Sequence, residues 1–163
     1  ISYLVALCVV FAASGVFTAK AKADYEETLG RVRFEALVSL TEYSREISSG
    51  LRILVGRNNH QNDRLVKECH RLDYWFHTQK IHGSHVILCT DGVEPDEQSL
   101  LEAAMLAAYH SQARESGNVP VDYTPVKNVK KPSGAKPGMV IYVSYNTLYV
   151  TPDEDEVTRL KQS

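Results

Sequence analysis

The spacing of hydrophobic residues changes character twice along the chain. From Ile1 to Ala19 no residue carries a charge. As a helix at ~1.5 Å per residue this run would extend roughly 28 Å, close to a bilayer core of about 30 Å. Three readings compete for it: a membrane anchor, a packed helix from a larger parent chain, or a signal peptide. Lys20 and Lys22 follow it and would leave the remainder in the cytoplasm under the positive-inside tendency. Those charges also precede any good small-x-small cleavage site, which weighs against a signal peptide, and the packed helix is narrowly preferred. Residues 20–49 read as a helical linker. Ala21, Tyr25, Leu29 and Val32 sit at helix-compatible spacings, Phe34, Leu37, Val38 and Leu40 continue the stripe, and Gly30 is expected to divide it.

From Leu51 the period shortens. Strands are predicted at 51–55, 74–77, 84–88 and 119–124, with a β-hairpin over 139–143 and 147–150 turning at 144–146. Gly56-Arg57-Asn58-Asn59 reads as a turn whose Gly and Asn residues take left-handed φ. Asn62-Asp63 would cap a short helix to about His70. Pro95-Asp96-Glu97 opens the main helix, whose small-residue face (Ala103, Ala104, Ala107, Ala108) suits close approach to a sheet, with Gly117 as its stop. The prediction is an α+β domain over 50–152: a mixed or antiparallel sheet packed against one main helix. An N-terminal helical segment precedes it, and a polar tail, short helix or frayed end, covers 153–163.

Length and composition allow one domain with a true core: 163 residues, 44% hydrophobic. The balance of 18 basic against 20 acidic residues, a net charge of −2, gives no global polyanion signature. An electrostatic function therefore requires segregated charge. Cys8, Cys69 and Cys89 are odd in number and lack a CxxC spacing, which fits reduced thiols rather than a disulfide framework.

Segregated charge is present. Residues 126–138 hold Lys127, Lys130, Lys131 and Lys136 with no acid, stiffened by Pro132 and Pro137 and opened by Gly134 and Gly138. Such a loop suits a polyanion; a solvated lysine turn is the plain alternative. The 56–62 bend sets Arg57, for a phosphate or guanine edge, beside Asn58, Asn59, Gln61 and Asn62 as polar readers of bases. The plain alternative here is an Asn-rich turn bonding its own backbone. Trp75 reads as core. Cys69, His70, His77, His82, His85 and Cys89 match no zinc spacing, and Ser84-His85 are strand neighbours pointing to opposite faces. No metal, cofactor or catalytic constellation is expected.

At these residues the chain resembles a known family. Gly56 to Asp63, Trp75-Phe76-His77, Gly83-Ser84-His85-Val86, Ala103 to Tyr109, Val119 to Thr124 and Val129 to Gly138 match, in order and without large gaps, the C-terminal RNA-binding domain, NFACT-R, of the NFACT proteins, the family of RqcH and NEMF. The resemblance covers about Gly50 to Glu154. It implies an RNA-binding module of ribosome-associated quality control, without catalytic residues of its own. Its partners would be tRNA and large ribosomal subunit RNA, in support of template-free C-terminal alanine tailing. On that basis Arg57, Asn58, Asn59, Gln61, Asn62, His77, His85, Lys127, Lys130, Lys131 and Lys136 are the expected RNA-binding residues. His82 stands where the family usually has Pro, and Tyr74 where Leu is usual. The family's N-terminal domain, helix-hairpin-helix elements and coiled coil are not seen, so a fragment or a stand-alone member is expected. A membrane-anchored nucleic-acid- or protein-binding domain is the alternative.

Overall fold

The computed structural model describes residues 26–32, 44–47 and 49–161, in two compact units, Ile1–Ala36 and Leu37–Ser163. In the first unit the described residues form a helix, α1, over 26–32. It runs through Gly30 without dividing there; an isolated helical glycine costs only about 1 kcal/mol. The apolar run 1–19 lies outside the described residues. Among those described, no helix is long and apolar enough to cross a membrane.

The second unit begins with β1 (Ser44–Glu46), β2 (Arg52–Val55), α2 (Asn59–Glu68), β3 (Tyr74–Thr78) and β4 (Val86–Cys89). It continues through α3 (Glu97–Tyr109), β5 (Val119–Pro125), a 3-10 turn (Val126–Asn128), β6 (Val129–Lys130), β7 (Ile141–Tyr142), β8 (Asn146–Val150) and α4 (Glu154–Lys161). The fold is α+β. Its main sheet has the order β1-β2-β4-β3-β5-β8 and is antiparallel throughout. The linker expected to be helical up to residue 49 therefore ends in a strand, β1, with Ile47 buried beside it.

Period-two alternation sorts each strand between two faces. Ile53, Val55, Phe76, Val86, Leu88, Val119 and Val121 join the main core with the alanine face of α3. Those alanines are fully buried, so the helix backbone lies close to the sheet. Asp96 caps α3, its Oδ1 accepting from the Ser99 amide at 2.7 Å. The helix stops at Tyr109, well before the Gly117 expected to end it. The Ser111 hydroxyl donates to the Ala108 carbonyl and accepts from the Ala113 amide, an alternative to helical pairing. α4 folds as a helix whose Val157 and Leu160 enter the same core.

The opposite face carries Leu54, Ile87, Trp75 and Thr124 in one register row, and His77, Asp122 and Thr147 in another. Here the predicted hairpin does not form. β7 pairs with β6 in a separate ribbon, while β8 joins the sheet edge beside β5. The cause is Tyr142: its ring packs on Trp75 at a centroid distance of 4.7 Å, and its hydroxyl donates to Asp122 at 2.7 Å. That draws β7 across the sheet face instead of along its edge. α2 and the lysine segment thus lie over the face that α3 leaves uncovered.

Candidate nucleic-acid interface

The bend before α2 is a helix cap. Asn58, with φ −152°, is the N-cap residue, and its Oδ1 accepts from the Gln61 amide at 2.9 Å. Gln61 Oε1 accepts in return from the Arg57 amide at 2.8 Å, a reciprocal pair of the capping-box kind. α2 accordingly starts earlier than the Asn62-Asp63 cap predicted, and Asn58 is extended rather than left-handed. Asn62 is buried, and its Oδ1 accepts from the His85 amide at 3.1 Å. Gly56 must be glycine because a Cβ there would stand 2.0 Å from Asn62 Oδ1. Arg57 and Asn59 remain on the surface.

Asp63, one turn into α2, joins this bend to the lysine segment. Its Oδ2 accepts from Lys131 Nζ at 2.7 Å, and its Oδ1 accepts from the Gly138 amide at 3.0 Å. Burial tends to raise the Asp63 pKa, but the bonds from Lys131 and Gly138 outweigh it and hold the carboxyl below its ordinary value. Lys131 also donates to the Lys136 carbonyl at 2.9 Å, closing the loop on itself. Gly138 has a φ of +82°, and a Cβ on it would come within 2.7 Å of Asn59 Oδ1. The amide bend and the lysine segment are therefore neighbours, in contact at Asn59 and Asp63.

Within that segment Lys127, Lys130 and Lys136 point to solvent, whereas Lys131 is spent on Asp63. Two further basic residues were missed from sequence, one of which, Arg64, is paired with Glu68 at 3.1 Å. Arg64 and Lys67 of α2 line a groove of about 360 Å³ with Val129 and Lys131. They lie on a helix read only for its caps, and nothing local indicates that its basic face meets the loop. The start of the segment is tied down through its backbone, the Lys127 amide donating to the Arg71 carbonyl at 2.9 Å.

His85 is buried beneath this surface, next to Asp63 and the Gly138 backbone, and His77 stands beside it. Their rings stand edge to face at 5.3 Å, and both contact Trp75. Burial lowers the pKa of His77 and, with repulsion from His77, takes His85 down to about 3. Both are neutral near pH 7 and offer a phosphate no charge. Burial also raises the thiols of Cys69 and Cys89. Among the described residues no group of three His, Cys, Asp or Glu is placed to hold a metal.

Beside the bend lies a polar cleft of about 280 Å³. One wall is Gly56, Arg57, Asn59 and Asn62; the other is built from residues 82–84 and 110–112. The latter two segments pair like a short ladder: the Ser84 amide donates to the His110 carbonyl at 3.1 Å, and the Gln112 amide to the His82 carbonyl at 3.0 Å.

Comparison with known proteins places the chain in a family. Residues 42–144 match the NFACT protein RNA binding domain. The chain is 55% identical over 119 residues to the Rqc2 homolog RqcH of Bacillus subtilis, covering 72% of this chain and 20% of that protein. It is 29% identical over 118 residues to the coiled-coil domain-containing protein 25 of Bos taurus, covering 69% of this chain and 57% of the relative. The C-terminal structure of the fibronectin/fibrinogen-binding protein from Streptococcus suis superposes with a TM-score of 0.69 at 44% identity, over 72% of this chain and 47% of that one. This chain thus spans about a fifth of the length of its RqcH relatives. It belongs to the family of the NFACT protein RNA binding domain.

Proposed function

We propose that this domain holds RNA on the face made by the 56–59 bend and the lysine segment, as the RNA-binding part of a ribosome quality control factor. Its ligands in this reading are tRNA and large-subunit ribosomal RNA, which it positions while the ribosome carries out template-free tailing. The domain supplies binding and no catalytic group. One observation carries the reading: Asp63 grips Lys131 and the Gly138 amide together, fixing the exposed Lys127, Lys130 and Lys136 beside Arg57 and Asn59. A fixed basic surface next to amides matches what RNA presents, phosphates outside and base edges within reach.

The test is the double variant Lys130→Glu/Lys136→Glu, which leaves the Asp63–Lys131 pair in place. Its affinity for deacylated tRNA in a filter-binding assay is expected to fall at least tenfold with an unchanged melting temperature. Wild-type affinity in the folded variant rejects the surface.

The charge-free run from Ile1 to Ala19, followed by Lys20 and Lys22, supports a separate proposal: a membrane tether with the domain on the cytoplasmic side. Carbonate-resistant membrane association that is lost on deleting residues 1–19 supports it; recovery of the undeleted chain in the soluble fraction rejects it.

A further inference from the structure

We infer that the cleft between the 56–62 bend and the 82–84/110–112 ladder is a subsite for a single unstacked nucleotide. This rests on the RNA-binding reading above and adds to it that the ligand is single-stranded at this point.

Size comes first. At about 280 Å³ the cleft sits at the small end of ligand pockets, which run from roughly 300 Å³ upward. It admits one base or one sugar-phosphate unit and excludes a double helix. Sequence-dependent recognition of RNA works largely on such splayed-out nucleotides, read along edges that pairing would otherwise occupy.

The chemistry of the walls selects the ligand. The lining residues include Asn59 and Gln112 with side-chain amides, Ser84 with a hydroxyl, His82 with an imidazole and Arg57 with a guanidinium. Amides both donate and accept, as base edges do. Among the described residues no carboxylate and no aliphatic side chain lines the cleft. It therefore disfavours cations and apolar molecules and accepts a polar, anionic one.

The walls are also built in advance. Gly83 is bridged to Ser111, and a Cβ on Gly83 would stand 2.8 Å from the Ser111 Cβ, so the two segments lie in direct contact. The Gly56 amide donates to the His85 carbonyl at 2.9 Å, while Asn62 holds the His85 amide. Binding into such a cleft costs little ordering of the protein. Finally, the cleft is continuous with the lysine surface, because Asn59 both lines it and abuts Gly138. A strand running along the lysines can turn one nucleotide inward there.

The experiment compares a single-stranded RNA heptamer with the blunt duplex of the same sequence, at one salt concentration, on the full chain and on the variant Ser84→Ala/Gln112→Ala, whose two residues line the cleft wall away from the lysine surface. Wild type is expected to bind the single strand at least tenfold tighter than the duplex. The variant, with an unchanged melting temperature, is expected to lose about tenfold on the single strand and nothing on the duplex. An unchanged preference in the variant, or an equal loss on both RNAs, overturns the inference while leaving the lysine surface standing. So does competition by inorganic phosphate alone that disappears in the variant, since the cleft would then be a phosphate site without base contact. If wild type binds neither RNA, the RNA-binding reading fails and takes this inference with it.

Discussion

Gly56, Asn62 and His85 form a set in which each residue is fixed by the other two. The missing side chain at Gly56 makes room for Asn62 Oδ1, and that oxygen satisfies the amide of His85, one of the largest fully buried side chains. Gly56→Ala must push the carboxamide away and leave a buried N–H without a partner, a loss of about 2–3 kcal/mol. Urea unfolding measures it, and a change under 0.5 kcal/mol would show that Asn62 is not needed there. The histidines make a second prediction. With folded pKa values below the unfolded 6.5, the native state binds fewer protons than the unfolded chain, so stability falls as pH falls through the window from about 6.5 down towards 3. One histidine held fully neutral contributes a slope of about 1.4 kcal/mol per pH unit. Between pH 6.5 and 5 His85 should therefore cost about 2 kcal/mol, with His77 acting in the same direction. His85→Gln should flatten the profile by that amount; an unaltered profile would mean His85 is protonated in the fold. At this scale the sequence shows that the bend is rich in amides but not how they are used. Asn58, Gln61 and Asn62 differ in role only through φ at the cap and through an amide that β4 brings in from residue 85, and no local pattern encodes a partner that distant.

The strands and the main helix were legible because alternation and a capping Asp are local. β3, β5 and the start of α3 fall where the residue pattern puts them. Partner choice is a different matter: a period-two run at 139–143 says that β7 is extended, not that it lies across the sheet face. A single hydroxyl on Asp122 and a ring on Trp75 decide that. The junction between α2 and the lysine segment has the same character, since Asp63 and Gly138 are distant in sequence and neither is unusual alone. It yields a prediction whose sign separates two explanations. Asp63→Ala removes an acid from a surface that binds polyanions. If charge alone set the affinity, binding would tighten. Because the carboxylate holds Lys131 and the Gly138 amide, its loss should release the loop and weaken RNA binding about fivefold, with faster hydrogen exchange at the Gly138 amide. Tighter binding would reduce the Asp63 contacts to packing detail.

For the whole molecule, the net charge of −2 means that long-range attraction to nucleic acid is absent, and affinity must come from charges close enough to touch phosphates. Acidic residues gather elsewhere, as in the first turn of α4 with Glu154, Asp155 and Glu156, where they face the helix dipole favourably. Counterion release turns that separation into a number. Four exposed cations, Arg57, Lys127, Lys130 and Lys136, engaging a single strand give a log K against log salt slope of about −3, at ~0.7 per phosphate. Engagement of Lys67 as well would steepen it to about −3.5, at the same ~0.7 per phosphate, so the slope reports whether the surface extends onto α2; Arg64 is already paired with Glu68. Because Lys131 is already neutralised by Asp63, replacing it with Gln should leave the slope unchanged even as it loosens the loop, whereas Lys130→Gln should reduce it by about 0.7. Titrating tRNA binding from 50 to 300 mM potassium chloride for these two variants distinguishes a lysine that meets phosphate from one that builds the surface, and equal slopes for both would mean that the ion pair opens when RNA binds.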